Sequence, residues 1–241
     1  MRLWPAVVAE AIGTFALCFI GAGALCTNQW SGGALGLLGI ALAHAATLGV
    51  MISAMGHISG GHFNPAVTIG LLSVNRLRGG RAAGYLIAQL AGAVAAAWLL
   101  KWIVPDPVWQ MVHLGTPGLG QGVGVLKGLV LEAVMTFFLV LAVCGTALDP
   151  KGSRNAVAGF GIGTVLLFDI LVGGPITGAA MNPARAFGPA LVSKTWTNHL
   201  VYWLGPMAGG VLAAAVYVKG LMEPEAKREE SSAPFPLQRD A

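Results

Sequence analysis

Two copies of one tripeptide, Asn64-Pro65-Ala66 and Asn182-Pro183-Ala184, are the residues here best suited to chemistry by type and order. Asn is a favoured helix N-cap and Pro a favoured first helical residue, so each copy reads as a helix start. A helix start carries the positive end of the backbone dipole. Arg185 directly follows the second copy, where the first has Val67. Two acids, Glu10 and Glu132, interrupt otherwise apolar stretches. Such acids either relay protons or accept hydrogen bonds from polar backbone that lacks water. There is no Ser/His/Asp set, nucleophile elbow or metal-ligand spacing, so no enzyme, metal or cofactor is expected.

The elements that must position these residues follow from composition. The 241 residues are 56% hydrophobic and only 10% charged, with 35 glycines. Soluble domains carry roughly 25% charged residues, so this chain cannot coat itself in water. The same figures exclude disorder. Six stretches reach the length of about 20 apolar residues that a membrane helix needs: 5–26, 33–56, 82–104, 125–147, 156–173 and 197–221. Two further apolar segments, Asn64–Val74 and Asn182–Val192, are too short to span. At 1.5 Å per residue each is about 16 Å long, against a hydrocarbon thickness of about 30 Å. They can enter only halfway.

The chain repeats itself. Ile58 to Ala66 returns as Ile176 to Ala184 at an offset of 118, and Glu10 with Thr14-Phe15 returns as Glu132 with Thr136-Phe137 at 122. Tyr85 and Gly92-Ala93 return as Tyr202 and Gly209-Gly210 at 117. Three spans separate the two Asn-Pro-Ala segments, so they enter from opposite faces. This is an inverted repeat, whose symmetry puts a site near the midplane. Residues 1–221 read as one channel domain, with repeat one about 4–104 and repeat two about 125–221. Residues 222–241 read as a disordered, charged cytoplasmic tail. The fold class is all-α membrane protein, six spans plus two re-entrant half-helices.

Two half-helix N-termini meeting at the midplane repel cations and offer donors from Asn64 and Asn182. A site with donors and no titratable group suits small neutral solutes and breaks a proton wire. The matched places of Glu10 and Glu132 favour support of the re-entrant loops over proton relay. Arg185, present in one copy only, marks a narrow cation-repelling gate near the outer mouth. Small residues four apart, at Gly84, Ala88, Gly92 and Ala96 and at Gly205, Gly209 and Ala213, permit close helix packing. Cys18, Cys26 and Cys144 read as buried small side chains. The formal charge of +4 comes without a basic stripe, so nucleic acid is not an expected partner. Ten cations fall at the termini and the second and fourth loops (Arg2, Arg76, Arg78, Arg81, Lys151, Arg154, Lys219, Lys227, Arg228 and Arg239). Three (Lys101, Lys127 and Lys194) fall on the other side. The positive-inside rule then puts both termini in the cytoplasm. The short stretch before the first span suggests the plasma (inner) membrane.

With these residues assembled, the chain resembles the aquaporin (major intrinsic protein) family over residues 4–221. Ser59 to Thr68 and Met181-Asn182-Pro183-Ala184-Arg185 carry the resemblance. It implies a right-handed helical bundle, a homotetramer in the lipid bilayer with one pore per subunit, and a passive channel for water. It also implies an outer filter at His44, Ile170, Ala179 and Arg185. Orthodox water channels have Phe and His at the first two positions, whereas His44 and Ile170 are similar to plant tonoplast intrinsic proteins and ammonia-permeable animal aquaporins. The implied solutes are therefore water and ammonia, with hydrogen peroxide or urea, and protons and ions are excluded. Ile170 should widen the constriction while His44 supplies a polar contact from the opposite wall. Of His57 and His62, one is expected to line the pore and the other to pack in the loop. Asp169 is expected to hydrogen-bond the extracellular loops, and His113 to sit solvated in one of them. The rival reading is a proton-coupled secondary transporter of a small neutral solute that uses Glu10 or Glu132 as carrier.

Overall fold

The computed structural model describes residues 2–152 and 158–223. Arg154, Lys227, Arg228, Arg239 and most of the expected tail lie outside the described residues. Among the described residues, six helices are long and apolar enough to cross a membrane. They are α1 (Leu3–Trp30), α2 (Gly36–Ser59), α4 (Gly79–Ile103), α6 (Val125–Val143, prolonged by a wider turn to Leu148), α7 (Ala158–Thr177) and α9 (Val201–Val216, prolonged likewise to Leu221). Between them lie two short helices that open on the Asn-Pro-Ala motifs, α3 (Pro65–Ser73) and α8 (Pro183–Ser193). At 9 and 11 residues they are about 14 and 17 Å long, half a membrane. No strand occurs among the described residues.

Large apolar side chains on the outer faces, Ile87, Trp102, Phe168, Val172 and Leu212 among them, are more than half exposed. In water that would be costly; against hydrocarbon it costs nothing, which is why these helices are apolar all round. The fifth span differs from the expected 156–173. It continues through Gly173-Gly174 to Thr177, with Pro175 inside its last turn. The link between repeats is also more ordered than a plain loop. Residues Asp106–Met111 form α5, with Trp109 Nε1 donating to Asp106 Oδ1 at 2.9 Å, followed by a tight turn over His113–Gly115.

The packing repeats as the sequence does. α1 pairs with α4 as α6 pairs with α9, and α2 packs on α7 across the pseudo-symmetry. Each half-helix packs on the last span of the opposite repeat, α3 on α9 and α8 on α4. Two glycines allow the closest crossings. A Cβ at Gly92 would lie 2.3 Å from the Ala11 carbonyl oxygen, and one at Gly209 would lie 2.0 Å from that of Ala133. Each pair occupies the same place in its repeat, so close backbone approach is a property of the design of both halves. Beyond the last span, Met222 and Glu223 remain ordered: Glu223 pairs with Lys151 at 2.7 Å.

Candidate pore and its constriction

The two re-entrant loops have backbone that no helix satisfies, and in a membrane that backbone needs partners from the protein. Glu10 and Glu132 provide them. Glu10 Oε1 accepts from the Ser59 hydroxyl at 2.6 Å and the His62 N–H at 2.9 Å, and Oε2 from the Phe63 N–H at 2.6 Å. Glu132 Oε1 accepts from the Thr177 hydroxyl at 2.7 Å and the Ala180 N–H at 2.9 Å, and Oε2 from the Met181 N–H at 2.7 Å. Both acids are fully buried. Phe63 and Met181, the residues before each Asn, are held in the left-handed region at φ 47° and 50°. Such a conformation costs about 1–3 kcal/mol in a non-glycine residue, and a bond to a charged acceptor returns about as much.

That contorted backbone turns the Phe63 and Met181 carbonyls toward the opposite loop. Asn64 Nδ2 donates to the Met181 oxygen at 2.9 Å, and Asn182 Nδ2 donates to the Phe63 oxygen at 2.9 Å. The amide oxygens cap the half-helices: Asn64 Oδ1 accepts from the Ala66 N–H at 2.8 Å, and Asn182 Oδ1 from Ala184 and Arg185 at 3.0 and 3.2 Å. A primary amide has two N–H groups. One on each Asn is spent on the cross-bond, which leaves one on each for the cavity that both residues border. Pro65, Ala66, Pro183 and Ala184 are buried in the first turns behind them.

Several members of this framework carry no recognisable signal of their own. Ser59 and Thr177 also accept from the Gly61 and Ala179 N–H groups, at 3.0 and 3.2 Å. Tyr85 and Tyr202 donate to the carbonyls of Ser59 and Thr177, at 2.6 and 2.9 Å. The offset of 117 pairs the two tyrosines in the sequence, and the structure supplies their role. Gln89 has no such pairing, because Pro206 holds its place in the second repeat. Its Nε2 reaches Glu10 Oε2 at 2.7 Å and Thr68 Oγ1 at 3.0 Å, giving Glu10 a fourth donor.

An inner cavity of about 20 Å³ runs along the Asn pair, room for little more than one water, between apolar walls such as Leu48, Leu139 and Leu166. An outer vestibule of about 250 Å³ is bordered by Val112 and by Gly115 to Gly118, which follow α5. Three residues border both: His44, Ala179 and Arg185. They mark the junction. Ile170 borders the vestibule alone. Arg185 Nη1 donates to the Gly115 carbonyl at 2.8 Å, and its buried Nε has no partner among the described residues.

The chain matches the family model "Major intrinsic protein" over residues 1–217. The chain belongs to the major intrinsic protein family. It is 47% identical over 220 residues to maize (Zea mays) aquaporin TIP4-4, covering 88% of this chain and 84% of that protein. It is 40% identical to the chicken (Gallus gallus) lens fiber major intrinsic protein over 214 residues, 89% and 80% of the two chains. The solved aquaglyceroporin of Plasmodium falciparum shares the fold at a TM-score of 0.79 and 22% identity, with 91% and 97% of the two chains covered. As a member of this family the protein is a membrane channel that passes small neutral solutes such as water, and it is not an enzyme.

Within this major intrinsic protein the remaining expected residues fall as follows. His62 is buried, borders the inner cavity, meets the Tyr85 ring edge-on at 5.2 Å and lies 3.1 Å from Thr68 Oγ1 through Nδ1. His57 is exposed at the end of α2 and borders neither cavity. His113 is exposed in its loop. Asp169 departs from the expectation of loop contacts: it is buried within α7, and its Oδ2 has no partner among the described residues. His44 also departs from a simple polar contact. Its Nδ1 bonds the Ile40 carbonyl of its own helix at 2.9 Å, and its Nε2 is buried without a partner rather than presented to the lumen.

Proposed function

We propose that this channel passes water and ammonia, admits hydrogen peroxide or urea, and excludes protons and ions. The observation that carries the reading is the junction of the two cavities. Among the described residues Arg185 is the one charged group there, sharing the junction with Ala179 and His44, while the apolar Ile170 borders the vestibule next to it. A fixed cation with half-helix dipoles repels charged species, while the missing second donor widens the opening for solutes other than water. The proton-coupled alternative asks Glu10 or Glu132 to move protons. Each is instead occupied by donors from the loops. In the same reading four copies associate in the bilayer. The termini face the cytoplasm, supported by Arg2, Arg76, Arg78, Arg81, Lys151 and Lys219 on one side against Lys101, Lys127 and Lys194 on the other. The host membrane in this reading is the plasma membrane, which cell fractionation tests.

The function is tested in proteoliposomes by stopped-flow shrinkage and by internal pH after an ammonium step. Wild type is expected to pass both water and ammonia quickly. The double variant His44→Phe with Ile170→His is expected to keep water and lose ammonia. Water flux without ammonia flux in the wild type overturns the wider solute range.

A further inference from the structure

We infer that Gly21 of α1 is a fifth, specificity-determining position of the constriction, which works by having no side chain. The inference rests on the assignment of the filter to His44 and Arg185. Along α1, Leu17 borders the inner cavity and Leu25 the outer vestibule, so one face of the helix forms the pore wall. Gly21 lies one turn from each, at the level of the junction. A Cβ built on Gly21 would stand 2.3 Å from His44 Nε2, 2.5 Å from Cδ2 and 2.9 Å from Cε1. The imidazole therefore occupies the space that any other residue at 21 would fill. This explains why Nε2 is buried yet unpartnered: it is laid on the bare backbone of α1.

The inverted repeat supplies an internal comparison. At the offsets of 122 and 118, Gly21 corresponds to Val143 and His44 to Ile162. Both of those residues border the inner cavity. In repeat two a β-branched residue and an aliphatic one hold the same two places, and glycine occurs where the neighbour is an imidazole. His44 is anchored at Nδ1 by Ile40, so a side chain at 21 leaves the ring one free direction, into the junction beside Arg185.

The test uses the full chain in proteoliposomes, with water permeability divided by the amount of inserted protein. Gly21→Ala is expected to lower permeability by about tenfold or more, because the displaced ring stands in the junction that joins the two cavities. His44→Ala is expected to raise permeability, and Gly21→Ala with His44→Ala to match it. Unchanged permeability in Gly21→Ala, or a double variant as slow as Gly21→Ala, overturns the inference. If Gly21→Ala fails to insert, the double variant decides: insertion and conduction support the role, and failure of the double as well refutes it. His44→Trp checks the underlying filter assignment separately. A wild-type flux in that variant removes His44 from the constriction, whereas a blocked His44→Trp with a normal Gly21→Ala refutes Gly21 alone.

Discussion

Replacing Glu132 by Ala should collapse the second re-entrant loop, and the structure gives the size of the effect. Three donors lose their acceptor: the Thr177 hydroxyl and the Ala180 and Met181 N–H groups. Thr177 is spared, since its hydroxyl already lies 3.5 Å from the Gly173 carbonyl and can turn to it. The two backbone groups have no alternative in a membrane interior. At about 1–3 kcal/mol for each buried unsatisfied donor, the native loop loses about 2–6 kcal/mol. Met181 sits at φ 50°, a conformation it leaves once the bond is gone. The Met181 carbonyl then no longer receives Asn64, and the midplane donors lose their alignment. At about 1.4 kcal/mol per decade, the ratio of intact to collapsed pores falls by about 30-fold or more. Stopped-flow shrinkage of proteoliposomes, normalised to inserted protein, reads this directly. Glu132→Gln keeps one oxygen and turns an NH₂ against one N–H, so its loss should be smaller, about 1–3 kcal/mol. Wild-type permeability in Glu132→Ala would refute the reasoning. Saturable, gradient-driven flux that Glu132→Gln abolishes would instead restore the proton-carrier reading.

Three other perturbations test neighbouring parts of the pore. Asn182→Asp retains the oxygen that caps Ala184 and Arg185 but loses the donor to Phe63 and brings negative charge to the meeting point of the half-helices. Cation conductance is expected to appear in planar bilayers, and an electrically silent variant would show that the dipoles do not set the barrier. Arg185→Val gives the second repeat the residue that the first has at Val67, and removes the fixed cation from the junction. Faster decay of an imposed pH gradient is expected, with water flux retained; unchanged decay would take the gating role from Arg185. In the turn before α9, burial lowers the pKa of His199 below 6.5, and Trp203 Nε1–H donates to its Nε2 at 3.0 Å, which needs the neutral ring. The neutral form is favoured in the folded state, so this contribution is full above pH 6.5 and is lost as pH falls through the lower folded value. The contacts of His199 with Trp196, Trp203 and Phe187 should then loosen, with a change in tryptophan fluorescence that His199→Gln abolishes.

The sequence by itself determined the number of membrane helices, the two half-length helices and their N-caps. Those features depend on local facts: run length against bilayer thickness, and the fixed φ of proline after a capping Asn. It also disclosed the repeat, and with it the paired places of Glu10 and Glu132. What it did not carry is direction. Asn64 and Met181 are 117 residues apart, and Asn182 and Phe63 are 119 apart, yet each pair shares a hydrogen bond. Nothing near those residues in the chain tells whether an amide faces the lumen or the opposite loop. The roles of Ser59 and Thr177, which lie inside the repeated segment, and of Gln89 were likewise illegible, because a polar side chain acquires a role only when another helix brings a carboxylate within reach. His44 shows the same limit. Its place on α2 follows from spacing to the motif, but the burial of its Nε2 was decided by a glycine on α1. Helix type is written locally, whereas the last ångström of a pore is set by which side chain a neighbouring backbone leaves room for.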